Sequence, residues 1–441
     1  MIHTFKYGDT GFVLDVETGS VHVLDDEAFE AVKQLEAIEK DGGDIGAALS
    51  GGGLLMDEIA ALKDEGLLFS TPAEDAAMPE NVVKAMCLHL AHDCNLRCEY
   101  CFAKGGAFAG RRELMSAETA KAAIDFLIKV SGKRRNLEID FFGGEPLLNF
   151  EVLKETVSYA RSIEAKHNKN FRFTVTTNAY RVTDEMRDYI NKEMNNVVVS
   201  IDGRPQVHDA VRKTAGGGGS YARVTENAKA LLLTREGEYY VRGTFTADNL
   251  DFAEDVLHVA DMGFWGLSIE PVVTTGANAI KEEHLPAIFA EYDRLAAEYA
   301  RRRKNGNGFT FFHFMVDLGA GPCRQKRVRG CGAGTEYVAV APTGDIYPCH
   351  QFVGQEAYKL GSVYETGLNQ TVSQQFEDCN IYNMEDCRHC WAKYYCSGGC
   401  AAANVNTNGD ILQPYRIGCE MQRKRLEIAI GMAALEQMED V

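Results

Sequence analysis

The sequence predicts an α/β protein built around an open, partial barrel of parallel strands. Strand-like apolar runs lie at 83–90, 137–142, 171–177, 196–201, 240–246 and 265–272. Helix-like patterns lie between and after them, for example at 116–130, 150–166 and 285–303. This alternation is typical of βα units, with a parallel sheet inside and helices outside. Six units are too few for a complete eight-stranded barrel, and we expect the reactive residues at the carboxyl ends of the strands.

The length of 441 residues favours two or three domains. Near the start, two strand-like runs at 10–15 and 20–24 are joined by a turn, and Asp25 or Asp26 then caps the first of two helical patterns. A hairpin followed by helices is a winged-helix-like pattern. The end of the chain is rich in cysteine, glycine and turns, which predicts a region that depends on metal for its stability. The three predicted domains are 1–75, 80–305 and 320–441.

Composition argues against several classes of function. The formal net charge of −18 argues against nucleic acid as the main partner, because a phosphate backbone binds basic surfaces. No apolar run approaches membrane-spanning length and the first residues lack the apolar core of a signal peptide, so we expect a cytoplasmic protein with no membrane partner. The cytoplasm keeps thiols reduced, so the 13 cysteines are not expected to form disulfides. Ten of them fall in two motif groups, which indicates metal or cluster ligation.

Three cysteines directly after the first barrel strand form the motif on which the central domain depends. Cys94, Cys98 and Cys101 have the spacing Cys-x3-Cys-x2-Cys. Thiolates at this spacing can surround one corner of an iron–sulfur cluster. A four-iron cubane with three protein ligands keeps one iron free for a ligand that is not protein. A zinc knuckle or a set of buried thiols is the alternative interpretation.

Glycine-rich and polar stretches follow the next three strands, where a ligand pocket is expected. A Gly-Gly turn lets a ligand approach the backbone, and a glutamate beside it offers a carboxylate acceptor. Asp202 and His208 fit a role in the pocket and a role as turn and helix-cap residues equally well. Glu270 and Pro271, after the sixth strand, are placed at the border of the same pocket. The predicted pocket residues are Gly143, Gly144, Glu145 and Pro146 after the second strand, Thr177 and Asn178 after the third, and Ser200, Asp202 and Arg212 after the fourth.

Seven cysteines near the end of the chain form a second pattern. Two 4Fe–4S clusters held entirely by the protein need eight thiolates, so the pattern lacks one. Cys323, ahead of Cys331, is the candidate for the eighth ligand, and an open site is the alternative. Two zinc sites also satisfy Cys-x2-Cys spacing. Cys87 is interpreted as a core residue and Cys379 as a free thiol. The seven are Cys331, Cys349, Cys387, Cys390, Cys396, Cys400 and Cys419.

Together, the three-cysteine loop, the Gly-Gly-Glu-Pro turn and the seven-cysteine pattern resemble radical S-adenosylmethionine (radical SAM) enzymes that carry a SPASM domain. The closest resemblance is to the SCIFF maturase group of thioether-forming sactisynthases, and it spans nearly the whole chain. Residues 1–75 resemble the RiPP recognition element, which captures the leader of a ribosomally made peptide as an extra strand. The implied fold is a partial (β/α)6 radical SAM barrel between an N-terminal winged-helix-like recognition domain and a C-terminal SPASM domain.

This resemblance implies S-adenosylmethionine and three 4Fe–4S clusters as cofactors. The radical-generating cluster would be held by the catalytic residues Cys94, Cys98 and Cys101, and S-adenosylmethionine would be bound by Tyr100 and the pocket residues above. The distal auxiliary cluster would be held by Cys387, Cys390, Cys396 and Cys419. The nearer auxiliary cluster would be held by Cys331, Cys349 and Cys400, with Cys323 or an open site as the fourth position.

The activity that the resemblance implies is the formation of thioether cross-links, from a cysteine sulfur to an α-carbon, within a cysteine-rich precursor peptide with a leader. A reductant such as flavodoxin or ferredoxin is the implied electron donor. One alternative is another enzyme on the same scaffold, such as an anaerobic sulfatase-maturing enzyme. The other is an iron–sulfur electron carrier or scaffold without a substrate. A carrier needs no nucleoside pocket, so the pocket residues count against that alternative.

Overall fold

The computed structural model describes residues 1–50, 52–72, 74–108, 112–319 and 324–439. Cys323 lies outside the described residues, so its role as a ligand stays a prediction. Among the helices of the described part, none is both long enough and apolar enough to cross a membrane.

The N-terminal unit is a three-stranded antiparallel sheet followed by three helices. Its strands, in the spatial order β1-β2-β3, are β1 (Ile2–Tyr7), β2 (Thr10–Asp15) and β3 (Val21–Leu24). Its helices are α1 (Asp26–Lys40), α2 (Ile45–Leu49) and α3 (Leu54–Asp64). Asp25 caps α1, because its side chain accepts a hydrogen bond from the Ala28 N–H. The predicted hairpin and two helices are confirmed, and β1 and α2 are additions. The winged-helix recognition assignment stays a prediction.

In the central region, strands and helices alternate, and all six predicted strands are present. The strands of this region are β4 (Ala85–Ala91), β5 (Leu96–Cys98), β6 (Asn136–Gly143), β7 (Asn170–Thr177), β8 (Asn196–Ser200), β9 (Arg212–Thr214), β10 (Glu238–Phe245), β11 (Gly266–Pro271) and β12 (Thr310–Phe311). The helices are α4 (Ala117–Val130), α5 (Phe150–His167), α6 (Asp184–Glu193), α7 (Pro205–Val211), α8 (Tyr221–Leu232), α9 (Phe252–Asp261) and α10 (Leu285–Lys304). Strands β4, β6, β7, β8, β10, β11 and β12 pair in parallel, in that spatial order.

Side chains along each strand point alternately to the apolar core and to the opposite, inner face of the sheet. In β6, Leu137, Ile139 and Phe141 are buried in the main core, while Asp140 between them projects from the opposite face. The helices complete the core from outside: α4 begins at its cap Ser116 and buries Ile124 and neighbouring apolar residues on one face. The inner face of the sheet is therefore left for polar side chains.

The sheet continues into the C-terminal region. Strand β13 (Tyr337–Val340) pairs in parallel with β4, and β14 (Asp345–Tyr347) and β15 (Gly361–Ser362) follow in antiparallel order. The result is a ten-stranded mixed sheet with the order β12-β11-β10-β8-β7-β6-β4-β13-β14-β15. The predicted barrel and the cysteine-rich region thus share one hydrogen-bonded sheet.

Short helices and one long helix make up the rest of the C-terminal region. They are α11 (Arg324–Arg327), α12 (Gln370–Asp378), α13 (Glu385–Arg388), α14 (Lys393–Cys396), α15 (Ala401–Asn408) and α16 (Arg416–Glu439). Turns of 3₁₀ helix occur at Pro146–Asn149, Glu282–His284, Phe312–Phe314, His350–Phe352 and Glu356–Tyr358. The sequence did not predict the 24-residue α16, which packs against both α10 and β1.

Candidate active site and cluster-binding cysteines

A cavity of about 240 Å³ lies at the carboxyl ends of the parallel strands. Its walls come from the three-cysteine loop, the turn after β6, and residues at the ends of β7, β8, β10 and β11. This is the edge at which the sequence predicts reactive residues. A larger groove of about 1360 Å³, between the β12 region, α14 and α16, contains none of the predicted site residues.

All three thiols of the loop face this cavity. Burial, and then the nearby Glu145 carboxylate, raise the pKa of Cys94 to about 12. Burial raises the pKa of Cys98 to about 11, against the opposing effect of the Arg212 guanidinium. Without a metal these two thiols are therefore protonated at neutral pH, and metal binding must displace their protons.

Two glycines bring the turn after β6 close to the cysteine loop. A Cβ atom at Gly144 would lie 2.2 Å from the backbone oxygen of Asp93. At Gly143, where φ is +125°, it would lie 2.3 Å from the oxygen of Ala91. Only glycine fits either position, so the backbone here forms part of the cavity wall beside Cys94.

Glu145 lies behind the wall instead of in it. Its carboxylate is 2% exposed and accepts hydrogen bonds from the Thr177 hydroxyl at 2.7 Å, the Asn178 N–H at 2.8 Å and the Leu147 N–H at 3.1 Å. Burial raises its pKa to about 7. Glu145 thus joins the turn after β6 to the end of β7, and the buried Pro146 lies with it behind the wall. Thr177 and Asn178 line the cavity, so the predicted contact of Glu145 with a cofactor stays a prediction.

A buried carboxylate connects the cysteine loop to the fourth predicted strand. Asp202, which is fully buried, accepts two hydrogen bonds from the Arg212 guanidinium and one from the Tyr100 hydroxyl, which lies 2.7 Å from its Oδ2. Pairing between β5 and β9 sets Cys98 opposite Arg212. Tyr100, Arg212 and Ser200 line the cavity, whereas Asp202 lies behind the wall and holds Tyr100 and Arg212.

Arg242 and His350, which belong to none of the sequence motifs, also line the cavity. Arg242 donates to Glu270 at 2.9 Å. Burial alone would raise the pKa of Glu270, but the Arg242 charge and further cationic groups lower it to about 2. Burial lowers the pKa of His350 to about 4, so its imidazole is neutral at pH 7. Arg242 lies between the buried residues Val241 and Gly243 of β10, and the alternation of side chains along the strand places it on the inner face. This alternation was the signal from which Arg242 could have been predicted.

The four cysteines predicted to hold the distal cluster lie together. Burial, and then the thiols of Cys396, Cys419 and Cys390, raise the pKa of Cys387 to about 12. The pKa of Cys419 rises to about 12 for the same reasons. Each of these thiols therefore lies within electrostatic reach of the others, as ligands of one cluster must.

The nearer group is also brought together, as far as the described residues extend. Burial, and then the thiols of Cys331 and Cys400, raise the pKa of Cys349 to about 12. Cys379 lines a small cavity together with Cys331, a proximity that no spacing rule predicted. Cys87 is fully buried in the main core, which confirms its interpretation as a core residue.

These arrangements fit iron–sulfur clusters and a cofactor in the cavity. Within the described residues, no three His, Cys, Asp or Glu side chains converge on the position of a single metal ion. A cluster spreads its ligands over several irons, so thiols that surround a cavity are compatible with it. Hydroxyl, amide and guanidinium groups on the other walls offer the donors that ribose and carboxylate groups require.

Comparisons with known proteins agree with this site. The model of the radical SAM superfamily matches residues 88–233, which include the cysteine loop and the turn after β6. The SPASM model, described as an iron–sulfur cluster-binding domain, matches residues 331–391. The chain therefore contains a radical SAM domain over residues 88–233 and a SPASM domain over residues 331–391. S-adenosylmethionine and 4Fe–4S clusters are the cofactors of such a protein, and the number of clusters in this chain is a proposal.

Several maturases are similar to the radical SAM protein described here. It is 27% identical to mycofactocin maturase MftC of Mycolicibacterium smegmatis, over 72% of this chain and 78% of the relative. It is 24% identical to a cysteine-type anaerobic sulfatase-maturating enzyme of Clostridium novyi, over 70% of this chain and 85% of that one. The solved structure of anSMEcpe with bound AdoMet and Cp18Cys peptide has a TM-score of 0.66 at 18% identity, covering 81% of this chain and 100% of that chain. The structural likeness confirms the fold alone.

Proposed function

We propose that this radical SAM protein forms thioether cross-links in a ribosomally made, cysteine-rich precursor peptide. Each cross-link joins a cysteine sulfur of the peptide to the α-carbon of a threonine. The free edge of the N-terminal sheet is the observation that supports this proposal. Within the described residues β3 pairs only with β2, so its outer edge offers unpaired backbone groups to a further strand. A peptide leader is a ligand that can occupy such an edge.

A peptide substrate is also supported by the relatives. A mycofactocin maturase and sulfatase-maturating enzymes are similar to this chain, and the solved anSMEcpe structure contains a peptide. The cavity at the strand ends adjoins the loop of Cys94, Cys98 and Cys101, where a peptide side chain would meet the cofactor. A reductant such as flavodoxin or ferredoxin is the proposed electron donor.

The chemistry assigns a task to each part of the site. Joining a thiol to an α-carbon removes one hydrogen atom from the carbon and one proton from the sulfur, and leaves one surplus electron. When bound, S-adenosylmethionine and its cluster supply the means of removing the hydrogen atom. Tyr100, Asp202 and Arg212 hold the cysteine loop in place, and the surrounding walls exclude water. Cys331, Cys349 and Cys400 would hold a nearer auxiliary cluster, a group capable of accepting an electron.

A second candidate is maturation of a sulfatase-type protein, in which a cysteine or serine side chain is oxidised. It is favoured by the similarity to the sulfatase-maturating enzyme of Clostridium novyi, which extends over 85% of that relative. The two candidates share the barrel, the cavity and the auxiliary cysteines. They differ in substrate, and the free edge of β3 favours a peptide with a leader.

One anaerobic experiment separates the two candidates. The reconstituted protein is incubated with S-adenosylmethionine, a reductant and the cysteine-rich peptide encoded beside its gene, and in parallel with a cysteine-containing sulfatase peptide. Thioether formation lowers the precursor's mass by two hydrogens per bond and blocks one thiol per bond from alkylation, without release by reductant. An unchanged precursor together with an oxidised sulfatase peptide would replace the proposal by the second candidate.

A further inference from the structure

The sheet of the N-terminal unit packs directly on the distal cysteine group. Phe5 of β1, and Phe12 and Leu14 of β2, are buried in one apolar cluster with residues of α16. Cys390 and Cys396 pack against the same cluster. Two of the four distal cysteines are therefore in apolar surroundings that the N-terminal unit helps to build.

The turn after β2 makes a second contact with the same group. Val16, which is 1% exposed, belongs to a buried cluster with Ile381, Met384 and Cys387. Trp391, next in sequence to Cys390, packs against both this cluster and the one built around Phe12. The N-terminal unit thus packs on the distal group through two apolar clusters, and Trp391 contacts both of them.

Side chains of β1 and of the turn after β2 contact the segment that carries Cys390 and Cys396. The ring of His3 stacks on that of Trp391, with centroids 4.0 Å apart and planes 7° from parallel, and His3 Nε2 lies 3.0 Å from Glu427 Oε1. The buried Glu17 forms an ion pair of 2.9 Å with Lys393 and accepts a hydrogen bond from the Tyr394 hydroxyl. Lys393 and Tyr394 lie between Cys390 and Cys396, so these contacts reach the segment that carries the cysteines.

We propose that the N-terminal unit forms the outer wall of the distal auxiliary-cluster site, and that this wall retains the cluster in the protein. The inference rests on the proposed assignment of Cys387, Cys390, Cys396 and Cys419 as its ligands. A wall built from Phe12, Val16 and Trp391 keeps water and protons from the thiolates, and groups outside the ligand shell contribute strongly to metal retention. The unit that is proposed to capture the leader therefore has a second role, which is to retain the distal cluster without contributing a ligand to it.

The test uses the full-length, reconstituted protein and the transfer of its iron to a chelator. His3→Ala and Glu17→Gln remove contacts with Trp391 and Lys393 without altering a cysteine. His22→Ala is the matched control, because His22 lies on β3 of the same sheet and bonds to the Leu67 backbone oxygen instead. We expect a fraction of the iron equal to one cluster to be released about tenfold faster from both wall variants, as is common after the loss of outer contacts at a metal site.

Two further measurements make each outcome decisive. Circular dichroism confirms that each variant is folded, and each substitution is repeated in a Cys387→Ala, Cys390→Ala background, where the fast fraction should be absent. Unchanged release from both folded wall variants would overturn the proposal, as would equal acceleration in His22→Ala or persistence of the fast fraction in the double-cysteine background. If that background contains as much iron as the parent, the ligand assignment has failed, and the wall proposal is withdrawn with it.

Discussion

Arg212 donates hydrogen bonds to both carboxylate oxygens of Asp202, from Nε at 2.8 Å and from Nη2 at 3.1 Å. The pair is buried, and the Tyr100 hydroxyl donates to the same carboxylate. Because Tyr100 lies between Cys98 and Cys101, the ion pair anchors the cysteine loop to the end of β8. The position of the loop therefore depends on a carboxylate that does not line the cavity.

Replacing Asp202 with asparagine should destabilise the protein and weaken its binding of S-adenosylmethionine. The substitution leaves the Arg212 charge buried without its partner, a change that costs about 3 kcal/mol in comparable sites. We expect a lower melting temperature by circular dichroism and a higher dissociation constant in equilibrium dialysis. Glu99→Gln is the control, since Glu99 pairs with Lys213 beside the same loop but is exposed, and exposed pairs contribute about 1 kcal/mol or less. Equal effects in both variants would contradict the anchoring role.

Replacing Cys94, Cys98 and Cys101 with alanine should abolish the formation of 5′-deoxyadenosine. These three thiols face the cavity, and without them no ligand remains for the radical-generating cluster. The product is measured by chromatography after anaerobic incubation with S-adenosylmethionine and dithionite. Cys87→Ala is the control and should retain the activity, because Cys87 belongs to the core. Product formation by the triple variant would show that the initiating cluster lies elsewhere.

Alkylation of Cys94 in the metal-free protein should show a raised pKa. With a pKa of about 12, its thiolate fraction at pH 8 is roughly a thousandfold smaller than that of a thiol with pKa 9. Since thiolate is the reacting form, the rate should increase about tenfold per pH unit throughout the range from 7 to 10. Mass spectrometry of the alkylated peptide measures that rate. A plateau near pH 9 would mean that burial does not control this thiol.

Replacing Cys387 and Cys390 with alanine should remove the iron of one cluster, about four atoms per chain. The loss follows from their proximity to Cys396 and Cys419, because a site with two remaining thiolates cannot hold a cubane. Colorimetric iron and sulfide determination measures it. Cys87→Ala again serves as the control, with an expected iron content equal to that of the parent. Retained iron in the double variant would favour another use of the distal cysteines.

Replacing Val23 with proline should weaken the binding of the leader peptide. Val23 lies in β3, and proline removes a backbone N–H and disturbs the strand to which the leader is proposed to pair. We expect an affinity about tenfold lower, equivalent to about 1.4 kcal/mol, by fluorescence anisotropy with a labelled leader. Lys33→Ala, on the exposed side of α1, should bind normally. Leader binding that is equally strong in both variants would place the leader elsewhere.

The strands of the barrel were predictable because their signal is local. Leu137, Ile139 and Phe141 alternate with polar residues in β6, and the cysteine and glycine motifs follow strand ends at fixed positions. Strand β1 was missed even though Ile2 and Phe5 are buried, because the surface that covers Phe5 comes from α16, more than 400 residues later in the sequence.

The organisation of the site was less predictable than its location. The motif placed Glu145 correctly at the end of β6, but its bonds to Thr177 and Asn178 depend on how two strands align. Likewise, Arg242 is one charged residue in an ordinary strand until the parallel pairing of β10 with β11 sets it beside Glu270. Contacts of this kind arise from the tertiary fold, and spacing in the sequence does not encode them.

The pairing of β13 with β4 has a consequence for electron transfer. Ala339 aligns with Cys87 in that pair, β4 leads to the loop of Cys94, and β14 leads to Cys349. With clusters at the cysteine loop and at Cys331, Cys349 and Cys400, as proposed, the separation between the two centres would be set by this ladder of backbone hydrogen bonds. Substitutions that leave this ladder intact would therefore keep the tunnelling distance, and with it the rate of electron transfer between the two proposed centres, unchanged.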